Sequence, residues 1–491
     1  MRALPPFWKH LLTVLSGSVA AQTLPILAAP LITRLCRPAD LGQFGVWYGV
    51  VAIAAVAATL RMENAMIIDH APARQRLCFG VVAWSAGWLA ALLTLAAAGA
   101  RAAGWTTLPW SGVLTLGVAA WLTAGMQTTL AYATSHNAFA PAAKAKIWAA
   151  GGIALSQLAL LAAGAGAVAL PAGQLLGLAT GLAAARLLLR PPSSRARARR
   201  ALARLRRLAH RSRMRLHRLA RRPLSRLRRQ ARRSLTRLRL LVCRPLPRLR
   251  QLAWRPLTCL HALARRLWRS ALPTPAQQRY LHAHRAFWRY ALPSNMLNAA
   301  IGPLPLLLIG ARHGALAAGL FALTQRVLAA PVSLLAASVQ EVFKRESVRQ
   351  YQNSGNCRPA WRHAARVLLL LGFLPSLLLL LAAPEMFAFA FGAPWRAAGE
   401  LAQILAPLYF LNFVASPLSY VFFVAGRQKI ELAWQLALFA MTLAVFAAPL
   451  TLHQSVAAYA TGYSLLYLVY LHMSYRYALD RDPAGRLHAA R

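Results

Sequence analysis

The sequence predicts an all-α integral membrane protein: twelve transmembrane helices in two pseudo-symmetric six-helix bundles, joined by an Arg-rich amphipathic cytoplasmic insert. Three observations predict it. Of 491 residues, 58% are hydrophobic and only 14% charged, against roughly a quarter charged in soluble domains. Apolar runs recur that are long enough, at ~20 helical residues, to cross a hydrocarbon layer about 30 Å thick. They are interrupted once, from Arg195 to Arg269, where 27 arginines fall in 75 residues with no Asp or Glu.

On that ruler six spans precede the block, at about 11–35, 43–61, 77–99, 110–133, 147–165 and 167–189. Six follow it, at about 287–310, 315–342, 366–384, 398–425, 430–449 and 454–477. The chain divides into an N-terminal bundle (1–189), the insert (190–286), a C-terminal bundle (287–477) and a tail (478–491). The first apolar run superficially resembles a signal peptide, with Ser18–Ala21 as a cleavage region, but it continues to Leu35 and is long enough to span.

Lys and Arg set the orientation, because basic loops stay cytoplasmic. Arg61, Arg74 and Arg76 follow helix 2, Lys144 and Lys146 follow helix 4, and Lys344, Arg345 and Arg349 follow helix 8. The alternate loops hold little beyond Arg34, Arg37, Arg101, Arg312 and Arg396. Both termini and the insert are therefore expected in the cytoplasm.

The apolar runs carry prolines: Pro25 and Pro30 in helix 1, Pro303 and Pro305 in helix 7, Pro331 in helix 8, Pro407 and Pro417 in helix 10. Broken helices commonly line transport sites, and a static kink is the alternative for each proline. The halves also show self-similarity. Gly42-Gln43-Phe44 matches Gly319-Leu320-Phe321 at an offset of 277, which sets helix 7 opposite helix 1.

The stretch Leu31 to Phe44, with Thr33-Arg34-Leu35 and Ala39-Asp40-Leu41-Gly42-Gln43-Phe44, resembles the helix 1 to helix 2 signature of polysaccharide-export flippases. These O-antigen flippase-like proteins belong to the multidrug, oligosaccharidyl-lipid and polysaccharide superfamily. Arg61-Met62-Glu63-Asn64-Ala65 is similar to the family element that follows, with Met where an aromatic is usual. Tyr290 to Asn298 and Gln325 to Pro331 are similar to its second-half motifs, and the insert departs from the family's much shorter connection. The resemblance implies a bacterial inner-membrane transporter that flips an undecaprenyl-diphosphate-linked oligosaccharide by alternating access for surface polysaccharide assembly. Its expected partners are that lipid-linked oligosaccharide, anionic inner-leaflet lipids, and polymerase or glycosyltransferase machinery; nucleic acid is not expected.

A sugar diphosphate calls for buried arginine with amide and hydroxyl side chains. Arg326 lies 18 residues from Lys344, too deep to snorkel easily, and a charge at that depth costs at least ~2.5 kcal/mol. Substrate binding and a structural partnership are its two readings. Asn295 and Asn298 share a helix face, and with Gln22 and Gln325 they form the rest of the candidate substrate set; interhelical hydrogen bonding is the alternative. Arg34 and Asp40 form a gate or a cap, and Arg61 with Glu63 a structural pair.

No cofactor is expected. Proton or sodium coupling is open, because no carboxylate of the first half lies deep in a span. The five cysteines show no CxxC spacing, so neither a zinc site nor a disulfide framework is indicated. Enzymatic motifs (HExxH, GxSxG, a Gly-rich phosphate loop) are absent. The rivals are a membrane glycosyltransferase or polymerase, a scaffold built around the basic block, and, within the superfamily, a peptidoglycan lipid-precursor flippase or a drug antiporter.

The block is periodic. Arg200, Arg211, Arg222, Arg233, Arg244 and Arg255 recur every 11 residues, with Leu205, Leu216, Leu227, Leu238, Leu249 and Leu260 in step. Eleven residues make three helical turns, so Leu and Ala fall on one side and Arg on the other over 200–265. Such a surface suits anionic headgroups; a tolerated tandem expansion and a partner-binding role are the other readings.

Overall fold

The computed structural model describes residues 23–189, 273–331 and 335–479, apart from His70, Trp105, Thr107, Asn137, Ala286 and Gly426. Gln22 and the arginine repeats lie outside the described residues. Among those residues the chain is helical, with one isolated β-bridge between Asn356 and Leu479. Among the described residues eight helices are long and apolar enough to cross a membrane.

The first half runs α1 (Thr23–Leu35), α2 (Pro38–Thr59), the short α3 (Met62–Ile68), α4 (Pro72–Ala102), α5 (Trp110–Ser135), α6 (Phe139–Ala162) and α7 (Ala169–Leu189). The second half runs α8 (Pro275–Ala283), a π-helical turn (Phe287–Ala291), α9 (Leu292–Ile301), α10 (Leu304–Pro331), α11 (Ala337–Ser354) and α12 (Arg358–Phe391). It continues through α13 (Arg396–Leu418), α14 (Val421–Val424), α15 (Gln428–Ala447) and α16 (Leu452–Tyr477). The predicted spans outside the eight fall on α1, on α9 with the first arm of α10, on α15 and on α16. The last of these carries Tyr459, Tyr463, Tyr467, Tyr470, Tyr475 and Tyr477, which lower its hydropathy.

The halves repeat one packing scheme: α4 pairs with α5 and α5 with α7, as α12 pairs with α13 and α13 with α16. Small residues allow this where no hydrophobic drive separates helix from lipid. Gly173, Gly177 and Gly181, four apart on α7, lie against Gln157, Ile153 and Ala149 of α6 so closely that a Cβ on any of them would overlap its neighbour.

One correction concerns the second half. The predicted continuous helix over 287–310 is broken at Gly302 and Pro303, because proline lacks the N–H that the turn needs and its ring crowds the carbonyl four residues back. The Gln325 amide, Nε2, donates to the Gly302 oxygen at the break, at 3.2 Å. The predicted span 315–342 falls on the second arm of α10 as far as Pro331 and, from Ala337, on the polar helix α11, with 332–334 outside the described residues. The two arms of α10 meet at Gly314, whose φ of 84° is open to glycine and strained for other residues.

The two bundles meet along α2 and the second arm of α10. A Cβ on Gly42 would lie 1.8 Å from the Ala315 oxygen, and one on Gly319 would lie 1.7 Å from the Pro38 oxygen. Pro38 and Ala315 stand at the same offset of 277 as Gly42 and Gly319. Gly45 faces Ala322, its own counterpart, with 3.4 Å from a built Cβ to that of the alanine. The repeat seen in sequence is therefore a contact across a pseudo-two-fold axis. The same relation holds one turn on, where Trp47 Nε1 donates to the Gly112 oxygen (3.1 Å) and Thr324 Oγ1 to the Ala398 oxygen (2.7 Å).

The turns collect at two ends. At the first, the buried Trp395 indole donates to the Thr33 oxygen at 3.0 Å and Arg34 donates to the Phe389 oxygen at 3.2 Å, tying one half to the other. At the opposite end, Asp69, 6% exposed, takes Arg74 at 3.1 Å, the Tyr280 hydroxyl at 2.9 Å and His284 Nε2 at 3.3 Å. This seats α8 on the first half. Burial first, then the neighbouring Cys78 and Asp69, raises the Tyr280 hydroxyl well above its ordinary range, so it stays a donor. Asp69→Ala removes the partner of the Arg74 guanidinium, the His284 ring and a buried hydroxyl. It is expected to cost about 2 kcal/mol, reduced from the fully buried case because Arg74 is mostly exposed. A lower apparent melting temperature, with Arg74→Ala much milder, checks this.

Candidate functional site

The break at Gly302 and the crossing at Gly42 and Gly319 leave a cavity of about 690 Å³ between the halves. The lining of α2 runs from Leu41 to Ala52 and that of α10 from Ala322 to Ala329. Both stretches proceed away from the crossing, so the cavity lies on its Asp69 side and is closed at the Trp395 end. The first half adds Gln157 and Gln174 from α6 and α7, and the second adds Tyr409 and Asn412 from α13 and Tyr459 and Tyr463 from α16.

Among the described residues, one cation lines it. Arg326 is half-buried and its Nη2 donates to the Pro25 oxygen of α1 at 2.9 Å. Among the described side chains no carboxylate pairs with it. Gln325 stands beside it, lining the same space and holding the Gly302 oxygen. The wall otherwise mixes aromatic rings with amides: Tyr409 and Gln325 both line it, and Tyr467 behind the wall donates to Asn412 Oδ1 at 3.1 Å. A guanidinium in an apolar setting with amides and phenols around it suits an anionic group attached to a hydroxyl-rich body.

The structure brings only part of the sequence-predicted set together. Arg326 and Gln325 line the cavity. Asn295 and Asn298 do not: Asn295 Nδ2 donates to the Ala291 oxygen of its own helix at 2.7 Å, and Asn298 is exposed. The reason is the break, which turns Ile301 to Leu306 toward the cavity instead of the face bearing the two asparagines. Gln22 lies outside the described residues.

Arg34 and Asp40 form no ion pair with each other among the described residues. Arg34 reaches the second half, while Asp40 Oδ2 accepts from the Arg37 N–H at 3.4 Å as a helix cap. Arg61 and Glu63 do pair, at 2.8 Å, at a turn where Leu60 and Arg61 adopt positive φ of 50° and 57°. Sequence reasoning passed over Tyr409, Tyr459, Tyr463, Asn412, Gln157 and Gln174. The readable signal was the three-to-four-residue spacing of tyrosines in α16.

The thiol of Cys36, in the turn between α1 and α2, is pushed up to about 12 by burial, with Asp40 adding to the effect. Only thiolate reacts with maleimide. In a variant keeping Cys36 as its sole cysteine, labelling is expected to rise about tenfold per pH unit, without a plateau, between roughly pH 7 and 9.5. A plateau inside that range would place the thiol in open solvent.

No protein-family profile matches the chain, and no curated protein sequence matches it. Solved structures do. The lipid II flippase MurJ in an inward closed conformation aligns with a TM-score of 0.61 at 8% identity, over 94% of this chain and 87% of that one. An outward-facing multidrug resistance MATE family transporter of the MOP superfamily aligns at 0.52 and 12% identity, over 96% and 95%. A MOP superfamily transporter from Pyrococcus furiosus, described as having a binding pocket of reverse polarity, aligns at 0.50 and 11%, over 96% and 95%. These neighbours are transporters and flippases, not enzymes, and the alignments run across both halves. The chain has the multi-pass helical fold of the MOP-superfamily transporters.

Proposed function

We propose that the chain flips a lipid-linked oligosaccharide, carried on undecaprenyl diphosphate, across the bacterial inner membrane by alternating access for surface polysaccharide assembly. The observation that carries this reading is Arg326: a half-buried guanidinium lining the inter-half cavity, with no carboxylate paired to it among the described side chains. A drug-sized cation is poorly served by such a wall; a diphosphate is well served. The Asp69 end gathers Arg61, Arg74, Lys144, Lys344, Arg345 and Arg427, so it faces the cytoplasm in this reading and the cavity is loaded from there. In this reading anionic lipid of the same leaflet is the proposed partner of the arginine repeats.

A second reading, flipping of a peptidoglycan lipid precursor, is favoured by the closer superposition on the lipid II flippase. Deletion of the gene separates the two. Loss of surface polysaccharide with normal cell-wall synthesis is the expected result, and intact display in a strain without a redundant flippase overturns the proposal. An arrest of cell-wall synthesis instead selects the second reading.

A further inference from the structure

The geometry points to a second, sugar-holding subsite in the cavity: an aromatic ledge on α13 and α16, with Tyr459 and Tyr463 as its face and Tyr409 as its link to the cationic end. This inference rests on the proposed function, because it divides one lipid-linked substrate between two parts of one site. Tyr459 and Tyr463 stand one helical turn apart with ring centroids 5.2 Å from each other, and both line the cavity. They are backed rather than free to swing: Tyr467 lies 5.1 Å behind Tyr463, Phe446 lies 5.7 Å from Tyr459, and Trp434 packs on Tyr463 and Tyr467.

A pyranose ring presents apolar C–H faces and a rim of hydroxyls. The negative face of a fixed aromatic ring suits the first, and amides and phenols suit the second. The ledge supplies the first, and Asn412, held by the Tyr467 hydroxyl, and Gln325 line the same cavity beside it and supply the second. Packing alone is a weaker account of the composition. Phenylalanine or leucine would fill the same wall without placing phenol oxygens in an apolar membrane interior, where each needs a partner. The cation sits on α10 and the ledge on α13 and α16, so charge and sugar are recognised by different helices.

The test uses the purified full-length chain and two probes, undecaprenyl diphosphate alone and the same lipid bearing one hexosamine, with binding read by native mass spectrometry. The wild type is expected to hold the glycosylated lipid more tightly. Tyr463→Ala is expected to weaken the glycosylated lipid about tenfold and leave the bare lipid unchanged. That unchanged binding shows the variant is folded. Tyr463→Phe, which keeps the ring, is expected to lose only about threefold, the share of one hydrogen bond. Arg326→Ala is expected to weaken both lipids alike. Equal losses for both lipids in Tyr463→Ala, or no loss in either, overturn the ledge while leaving the flippase reading standing. A wild-type protein that binds neither lipid overturns both.

Discussion

Arg326→Ala is expected to lower translocation of the lipid-linked oligosaccharide about 100-fold without lowering the protein's stability. The two halves of that expectation have different causes. A charge-assisted hydrogen bond to a phosphate is worth about 1.5–3 kcal/mol, roughly a tenfold to hundredfold change in binding, and more than one of the guanidinium's five donors can reach a diphosphate. The folded protein draws little from the same side chain. Its bond to the Pro25 oxygen is the hydrogen bond found for it, and holding a cation at that depth costs at least ~2.5 kcal/mol. Arg326→Lys keeps the charge but loses the planar fork, so an intermediate loss, near tenfold, is expected. Translocation in reconstituted vesicles and thermal melting of each variant check both halves. An alanine variant with full activity removes Arg326 from the substrate path, and one that melts far below the wild type makes the residue structural.

Gly319→Ala is expected to open the Trp395 end. The added Cβ would stand 1.7 Å from the Pro38 oxygen, and a backbone carbonyl inside a helix cannot step aside as a side-chain tip can. Overpacking of this kind costs about 1–3 kcal/mol, so the closed crossing loses roughly tenfold in population to any state in which α2 and α10 separate. Cys36 reports it, since it lies in the turn next to the crossing. Its labelling at fixed pH is expected to rise about tenfold. Gly42→Ala, opposed by the Ala315 oxygen at 1.8 Å, is expected to match it, whereas Gly87→Ala and Gly151→Ala, with open space around the new methyl, are expected to change nothing. Unaltered Cys36 labelling in both tight-site variants would show that the crossing is not what closes this end.

Much of this architecture was legible because hydrophobic length and loop charge report directly on a bilayer. The spans later found as α2, α4, α5, α6, α7, α12 and α13 were readable to within several residues. The repeat at an offset of 277 was readable too, although nothing in the sequence said that Gly42 and Gly319 touch. Failures came where a local event redirected a face. The break at Gly302 and Pro303 turned Asn295 and Asn298 away and put Gly302 itself on the cavity wall. Arg326 was legible because charge in an apolar run is costly and therefore conspicuous. Tyr459 and Tyr463 were not, because a tyrosine in a membrane helix reads equally well as an interface anchor, and only the packing of Trp434 and Phe446 behind them shows which way they face.

The crossing of α2 and α10 obeys the rule of a symmetric dimer, in which residue i of one copy meets residue j of the other and the reverse. Gly42 meets Ala315, Gly319 meets Pro38, and Gly45 meets its own counterpart, Ala322. A surface of that kind is self-complementary before any linker joins the copies. The contacts that make this crossing lie within 38–45 and 315–322, so two separate chains, one ending after α7 and one beginning before α8, are expected to carry the crossing between them.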